Sequence, residues 1–154
     1  MMFPYGQPDK TKDCGYRCMY YALRRCKAIE KEQRGGHYQY PSYDEWLDNF
    51  RFFSPIKSGI TFTDIHTILD YYKVDYTFTH LTDQGLYVVY SGIWLHQEDK
   101  KHGHYFIYEN GEVLCSTHTE PYHSSLDATL KRLEAKSIEH SYRCMRINGK
   151  IVEK

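Results

Sequence analysis

The side chains best suited to covalent chemistry lie near the start of the chain. Cys14 closes a polar, proline-containing segment, Gln7-Pro8-Asp9-Lys10-Thr11-Lys12-Asp13, and a helix-capable run from Tyr16 to about Ile29 follows at once. A cysteine in the first turn of a helix faces unpaired backbone N–H groups and the positive end of the helix dipole, which stabilise a thiolate. Gln7 stands seven residues upstream, close enough in an extended loop to bring a side-chain amide beside the sulfur. That pairing suits thioester chemistry. The sulfur attacks a carbonyl carbon, and the Gln7 amide with the Cys14 backbone N–H holds the oxyanion. Two plainer assignments compete. Cys14 and Cys18 could be small hydrophobes packed under a helix. They could also be half of a metal site, completed by His102 and His104 into a Cys2His2 zinc set.

Gln7, Asp13-Cys14-Gly15, Cys18 and Leu23 together resemble the nucleophile motif of papain-like cysteine peptidases. The resemblance is closest to the bacteriocin-leader (double-glycine) processing peptidases and weaker to the Josephin deubiquitinases. The Gln7-to-Cys14 spacer is one residue longer than in the leader peptidases. Gly59, Thr61, Asp64, Ile65, Leu69 and Tyr72 follow that family's order of loop, helix and strand. The resemblance implies a general-base histidine at the head of a Gly-His-aromatic strand, matched here by Gly103-His104-Tyr105-Phe106. It also implies an orienting acid about sixteen residues on and before a proline. Glu120-Pro121 stands there, with Glu where the family has Asp. In such a triad His104 takes the thiol proton and later returns one to the leaving amine. The carboxylate fixes the imidazole tautomer. Ser116, Thr117 or His118 are alternative orienters. The substrate implied is a polypeptide with a Gly-Gly motif. The likeness spans roughly residues 7–122.

These residues need elements to hold them. Met19, Leu23 and Cys26 share one face of a first helix over 16–31, with Arg24, Arg25 and Lys27 outward. Arg34-Gly35-Gly36-His37 reads as a break. Ser42 with Glu45 forms a capping box for a short helix to about Phe53, burying Trp46, Leu47 and Phe50. Thr61 or Thr63 caps the next helix, with Ile65, Ile68, Leu69 and Tyr72 as its apolar stripe and His66 off it, toward the surface. The texture then turns to β. Strands are expected at 76–80, 86–93, 103–108 and 113–117, with a polar excursion over 94–101 and Asn110-Gly111 as a hairpin turn. Leu126, Leu130 and Leu133 suggest a late helical segment, and 142–151 a final hairpin around Asn148-Gly149. Helices first and an antiparallel sheet second make an α+β domain. That order, a single domain over 1–154, is also the layout of the papain-like fold.

Composition narrows the class. Formal charge balances at +0, which gives no electrostatic case for nucleic acid or an anionic membrane surface. No stretch approaches the ~20 apolar residues of a membrane span, and residues 1–9 have no apolar core of a signal peptide. Five cysteines, scattered and odd in number, are not a secreted disulfide framework, so a cytoplasmic protein with reduced thiols is expected. No cofactor is implied. Tyrosine occurs 16 times, which fits half-buried strands or a polypeptide-binding face. The expected activity is that of a cysteine peptidase or isopeptidase. The alternatives are a catalytically defective papain-fold protein that binds a polypeptide, supported by the Glu120 substitution and the longer Gln7 spacer, and the zinc module.

Overall fold

The computed structural model describes residues 14–49, 60–95, 100–114 and 137–151, with the backbone alone at 34, 91–95, 100–104 and 137–142. The first helix, α1 (Cys14–Arg25), begins two residues earlier than its apolar pattern suggests, on Cys14 itself. It is buried on most of its surface: Tyr16, Cys18, Met19, Ala22 and Leu23 are fully inaccessible. Its basic residues keep to the outside by stacking and pairing. The Arg17 guanidinium lies 4.4 Å over the Tyr43 ring, Arg24 lies 4.0 Å over Tyr40, and Arg25 Nε meets Glu109 Oε2 at 2.9 Å.

The helix stops at Arg25 because Lys27 turns left-handed, with φ 61°. The Lys27 N–H then donates to Arg24 O at 3.1 Å and the Ala28 N–H to Leu23 O at 2.8 Å. This is a Schellman closure, formed without the usual glycine and sealed by buried Ala28 against buried Leu23. Gly35-Gly36, read as a break, instead joins two short strands, β1 (Glu32–Arg34) and β2 (His37–Gln39). Both glycines take positive φ, 55° and 87°, as a two-residue type I′ turn requires.

Two capped helices follow. In α2 (Tyr43–Asp48) the Ser42 hydroxyl accepts from the Glu45 N–H at 3.2 Å, and Trp46 and Leu47 are buried as expected. In α3 (Phe62–Tyr71) Thr61 is the cap, its hydroxyl accepting from the Asp64 N–H at 3.1 Å while Asp64 Oδ2 accepts from the Thr61 N–H. Ile65, Ile68 and Leu69 are fully buried. The Trp46 indole donates to the Tyr72 hydroxyl at 3.0 Å and ties the two helices together. His66 is not a free surface residue. It is half-buried, its ring 5.1 Å from Tyr76 and 5.8 Å from Phe78.

The sheet is antiparallel, with the order β3-β7-β4-β5-β6. Its strands are β3 (Val74–Phe78), β4 (Leu86–Leu95), β5 (Lys100–Glu109), β6 (Glu112–Leu114) and β7 (Ser137–Lys150). With its helices it makes the molecule α+β. At the described ends of the expected polar excursion over 94–101 the backbone is paired, Trp94↔Lys101 and Leu95↔Lys100, and 96–99 lie outside the described residues. Polar side chains do not stop a ladder whose hydrogen bonds come from the main chain.

A larger difference lies at 142–151. The chain does not turn back at Asn148-Gly149 but runs on as β7, between β3 and β4. Only Gly149 has positive φ there, 121°, whereas the true turn at Asn110-Gly111 has both, 49° and 86°. Asn148 is the extra residue of a bulge. Asp75 pairs with Gly149 and Tyr76 with Ile147, while the Asn148 amide donates to Asp75 Oδ2 and Thr77 Oγ1, each at 2.9 Å.

Strand alternation divides the core in two. Val88, Tyr105, Ile107, Leu114, Met145 and Ile147 face the helices, and Tyr87, Val89, Phe106, Tyr108, Val113 and Cys144 form a second cluster on the other side. Many of the abundant tyrosines are therefore core residues, among them Tyr16, Tyr20, Tyr43, Tyr87 and Tyr105. Among the described residues no helix is long and apolar enough to cross a membrane. The segment with Leu126, Leu130 and Leu133, and Phe50, lie outside the described residues.

Candidate functional site

Cys14 is the first residue of α1, where the backbone N–H groups of the opening turn have no partner within the helix. It is 9 % exposed while Cys18, one turn further on, is 0 %. Gly15 explains how this turn is seated. A Cβ at that position would overlap Ile60 Cγ2 and come 3.0 Å from Tyr105 Cδ2. The absence of a side chain lets the start of α1 press directly onto β5 and the segment before α3.

Around Cys14 the sheet contributes one cross-strand row. Tyr90 of β4 pairs with Tyr105 of β5 on one side and with Arg143 of β7 on the other. The Tyr90 and Tyr105 rings are 4.9 Å apart, and Phe62, the first residue of α3, packs edge-on at 5.2 Å from Tyr90 and 6.1 Å from Tyr105. The Arg143 guanidinium lies 5.6 Å over the Phe62 ring. Phe78, 44 % exposed, extends the aromatic surface, with its ring 5.9 Å from Phe62. The Tyr105 hydroxyl donates to Ile60 O at 3.3 Å. Burial holds that phenol well above its usual range, and the neighbouring Tyr90, Cys14, Cys18 and Asp64 push it the same way. Burial also raises Tyr90, against the pull of Arg143 and with a further push from Cys14. Both phenols stay protonated at neutral pH, and Tyr105 gives its proton to Ile60 O.

Of the four residues singled out in the sequence, Cys14 is described in full. His104 is described in backbone only, as the β5 partner of Ser91. Gln7 and Glu120 lie outside the described residues, as do Ser116, Thr117 and His118. The β5 residue that meets the Cys14 turn is Tyr105, next in the chain to His104. The pairing of β4 with β5 runs from Leu86↔Glu109 to Leu95↔Lys100 without a register shift. Position 104 therefore belongs to the row adjoining the one that holds Tyr105.

Tyr90, Tyr105, Phe62 and Arg143 were not singled out from the sequence. Arg143 alternates with the buried Met145 and Ile147 along β7, and it joins this row only through the pairing of β7 with β4, which the hairpin assignment does not contain. No family model, curated protein or solved structure matches the chain.

One other feature is separate from Cys14. A cleft of about 630 Å³, lined by Ile29, Glu30, Lys31, Trp46, Tyr72, Lys73 and Lys150 among others, lies past the C-terminal end of α1. Cys14 is at the other end of that helix, about 18 Å away at 1.5 Å per residue. Among the described residues no cluster of three or more His, Cys, Asp or Glu is placed to hold a metal ion.

Proposed function

We propose that this protein is a cysteine hydrolase of papain-like fold, acting on a peptide or isopeptide bond in a polypeptide substrate. One observation carries the reading. The first turn of α1, with Cys14 at its start and Gly15 in van der Waals contact with β5, abuts the strand that contains His104. In this scheme Cys14 Sγ attacks the substrate carbonyl carbon and a thioester forms. His104 passes the thiol proton to the departing amine. Water then attacks the thioester with His104 as base, and the acid and free thiol are released. Glu120 orients His104, and Gln7 with the Cys14 backbone N–H receives the oxyanion. The resemblance to the leader peptidases suggests a Gly-Gly motif in the substrate. A cytoplasmic setting would keep the nucleophile reduced.

A second reading draws on the strand register. With regular alternation, position 104 falls one row from Tyr105, in the row of the second cluster. A working dyad needs that alternation to break between 104 and 105. Without the break the domain is a polypeptide-binding protein on the same scaffold, presenting the aromatic surface around Phe62, Phe78 and Tyr90.

Alkylation separates the two. Each cysteine is labelled with iodoacetamide at neutral pH in native protein and in His104→Ala, and the rates are read by peptide mass spectrometry. The hydrolase reading expects Cys14 to react much faster than Cys26 and Cys144, whose thiols are raised by burial, and expects His104→Ala to remove the advantage. Equal rates at the three sites would leave the binding module.

A further inference from the structure

We infer that Arg143 selects the substrate of the Cys14 site by pairing with a carboxylate beside the carbonyl that is attacked. The inference rests on the hydrolase reading and names its substrate class: a polypeptide with an acidic side chain close to the bond that is cut.

The row Tyr105–Tyr90–Arg143 crosses three adjacent strands in register. Neighbouring strands are about 4.8 Å apart, so the Arg143 backbone lies roughly 10 Å from the strand against which the Cys14 turn rests. The guanidinium is not left to wander in solvent at that distance, because the Phe62 ring lies beneath it. Phe62 also touches both tyrosines of the row. A cation is thus fixed at the open end of an aromatic shelf whose closed end meets the nucleophile.

Arg143 is exposed, and among the described residues no carboxylate pairs with it. Arg25 is the contrast, since Glu109 both pairs with it and holds its pKa up. A guanidinium on an aromatic face still offers its planar edge, which suits a carboxylate in two-point contact. The shelf lowers the local dielectric and strengthens that attraction relative to open water. Tyr90, feeling both Arg143 and Cys14, marks the electrostatic continuity between the two ends. The plainer alternative is that Arg143 only shields Phe62 from solvent.

Two reagents of nearly equal size distinguish these. In both, the cysteine sulfur displaces iodide from a methylene carbon and a thioether forms. Iodoacetate carries a carboxylate and iodoacetamide carries none. The rates of Cys14 labelling are measured on the full chain for wild type, R143Q and R143K, with thermal melts confirming that each is folded. The ratio of iodoacetate to iodoacetamide rates at Cys14 is expected to fall on the order of 10-fold in R143Q, the size of a charge interaction across ~10 Å at an effective dielectric of about 20. R143K should retain most of it, and about 1 M salt should erase the wild-type preference. The salt series on wild type gives an answer even if R143Q does not fold. An unchanged ratio in R143Q with Cys14 still fast toward iodoacetamide overturns the role of Arg143 and leaves the hydrolase reading intact. A Cys14 slow toward both reagents overturns the hydrolase reading and this inference with it.

Discussion

Gly15→Ala tests whether the start of α1 is seated as described. Ala is the better helix former, by up to about 1 kcal/mol relative to Gly. A free first turn would therefore be stabilised by the change. The structure predicts the reverse. The new methyl would overlap Ile60 Cγ2 and press on the Tyr105 ring at 3.0 Å, and both neighbours are buried. Ile60 is β-branched and stiff, and Tyr105 is hemmed in by Tyr90 and Phe62, so neither can swing away. Overpacking costs about 1–3 kcal/mol, and a Cβ that overlaps Ile60 Cγ2 outright belongs at the upper end, about 2–3 kcal/mol, which exceeds the propensity gain and leaves a net loss of about 1–2 kcal/mol. In a chain of this length that lowers Tm by roughly 2–8 °C. Urea unfolding gives the free energy directly. Ile60→Ala removes the overlapped methyl and is itself destabilising by about 2–5 kcal/mol. The double variant should lose about 1 kcal/mol less than the two single losses added. A Gly15→Ala protein as stable as wild type, or a cycle additive to within ~0.5 kcal/mol, would refute the close seating. The proposed geometry around Cys14 would then lose its support.

Two further outcomes are expected. Burial pushes the Cys144 thiol up to about 11, so the folded chain keeps a proton there that the unfolded chain gives up near pH 9. The unfolded state then binds fewer protons, and stability falls as pH rises from about 9 to about 11 and is unaffected by this group below that window. Urea midpoints across that range should decline more steeply in wild type than in Cys144→Ala, and identical slopes would remove the assignment. Asn148→Ala deletes both hydrogen bonds that close the bulge, to Asp75 and Thr77. It should cost about 0.5–1.5 kcal/mol with an unchanged m-value. An unmoved midpoint would show that the bulge stands without them.

What the sequence disclosed was local. Ser42 with Glu45 carries its capping geometry within four residues and forms as written, and of the two candidates Thr61 and Thr63 it is Thr61 that caps α3, with Asp64. Asn110-Gly111 is likewise a turn in pattern and in fact. Asn148-Gly149 bears the same signal and is no turn. Its conformation is decided by β3, which supplies a pairing partner more than seventy residues away in the chain. The site divides along the same line. Cys14 is visible because a helix start can be read from neighbours. The Tyr105–Tyr90–Arg143 row depends on the register of three strands, which no local pattern states. His66 was misjudged for a related reason: it leaves the apolar stripe of α3 only to meet Tyr76, its Nδ1 2.5 Å from the phenol oxygen.

The position of β7 in the middle of the sheet has a consequence for biosynthesis. Of the five strands it is the last to leave the ribosome, yet it separates two that were made long before it. Until it arrives, β3 and β4 each show an open edge, the kind of surface on which one chain recruits another. At 5–20 residues per second, translation from 115 to 150 takes about 2–7 s. Arg143 arrives with the same strand. A ribosome that stalls or terminates before β7 would release a chain that has Cys14 but lacks the cation opposite it, with a sheet prone to aggregate. The last residue of the Tyr105–Tyr90–Arg143 row and the strand that closes both edges thus come together, in one late step of synthesis.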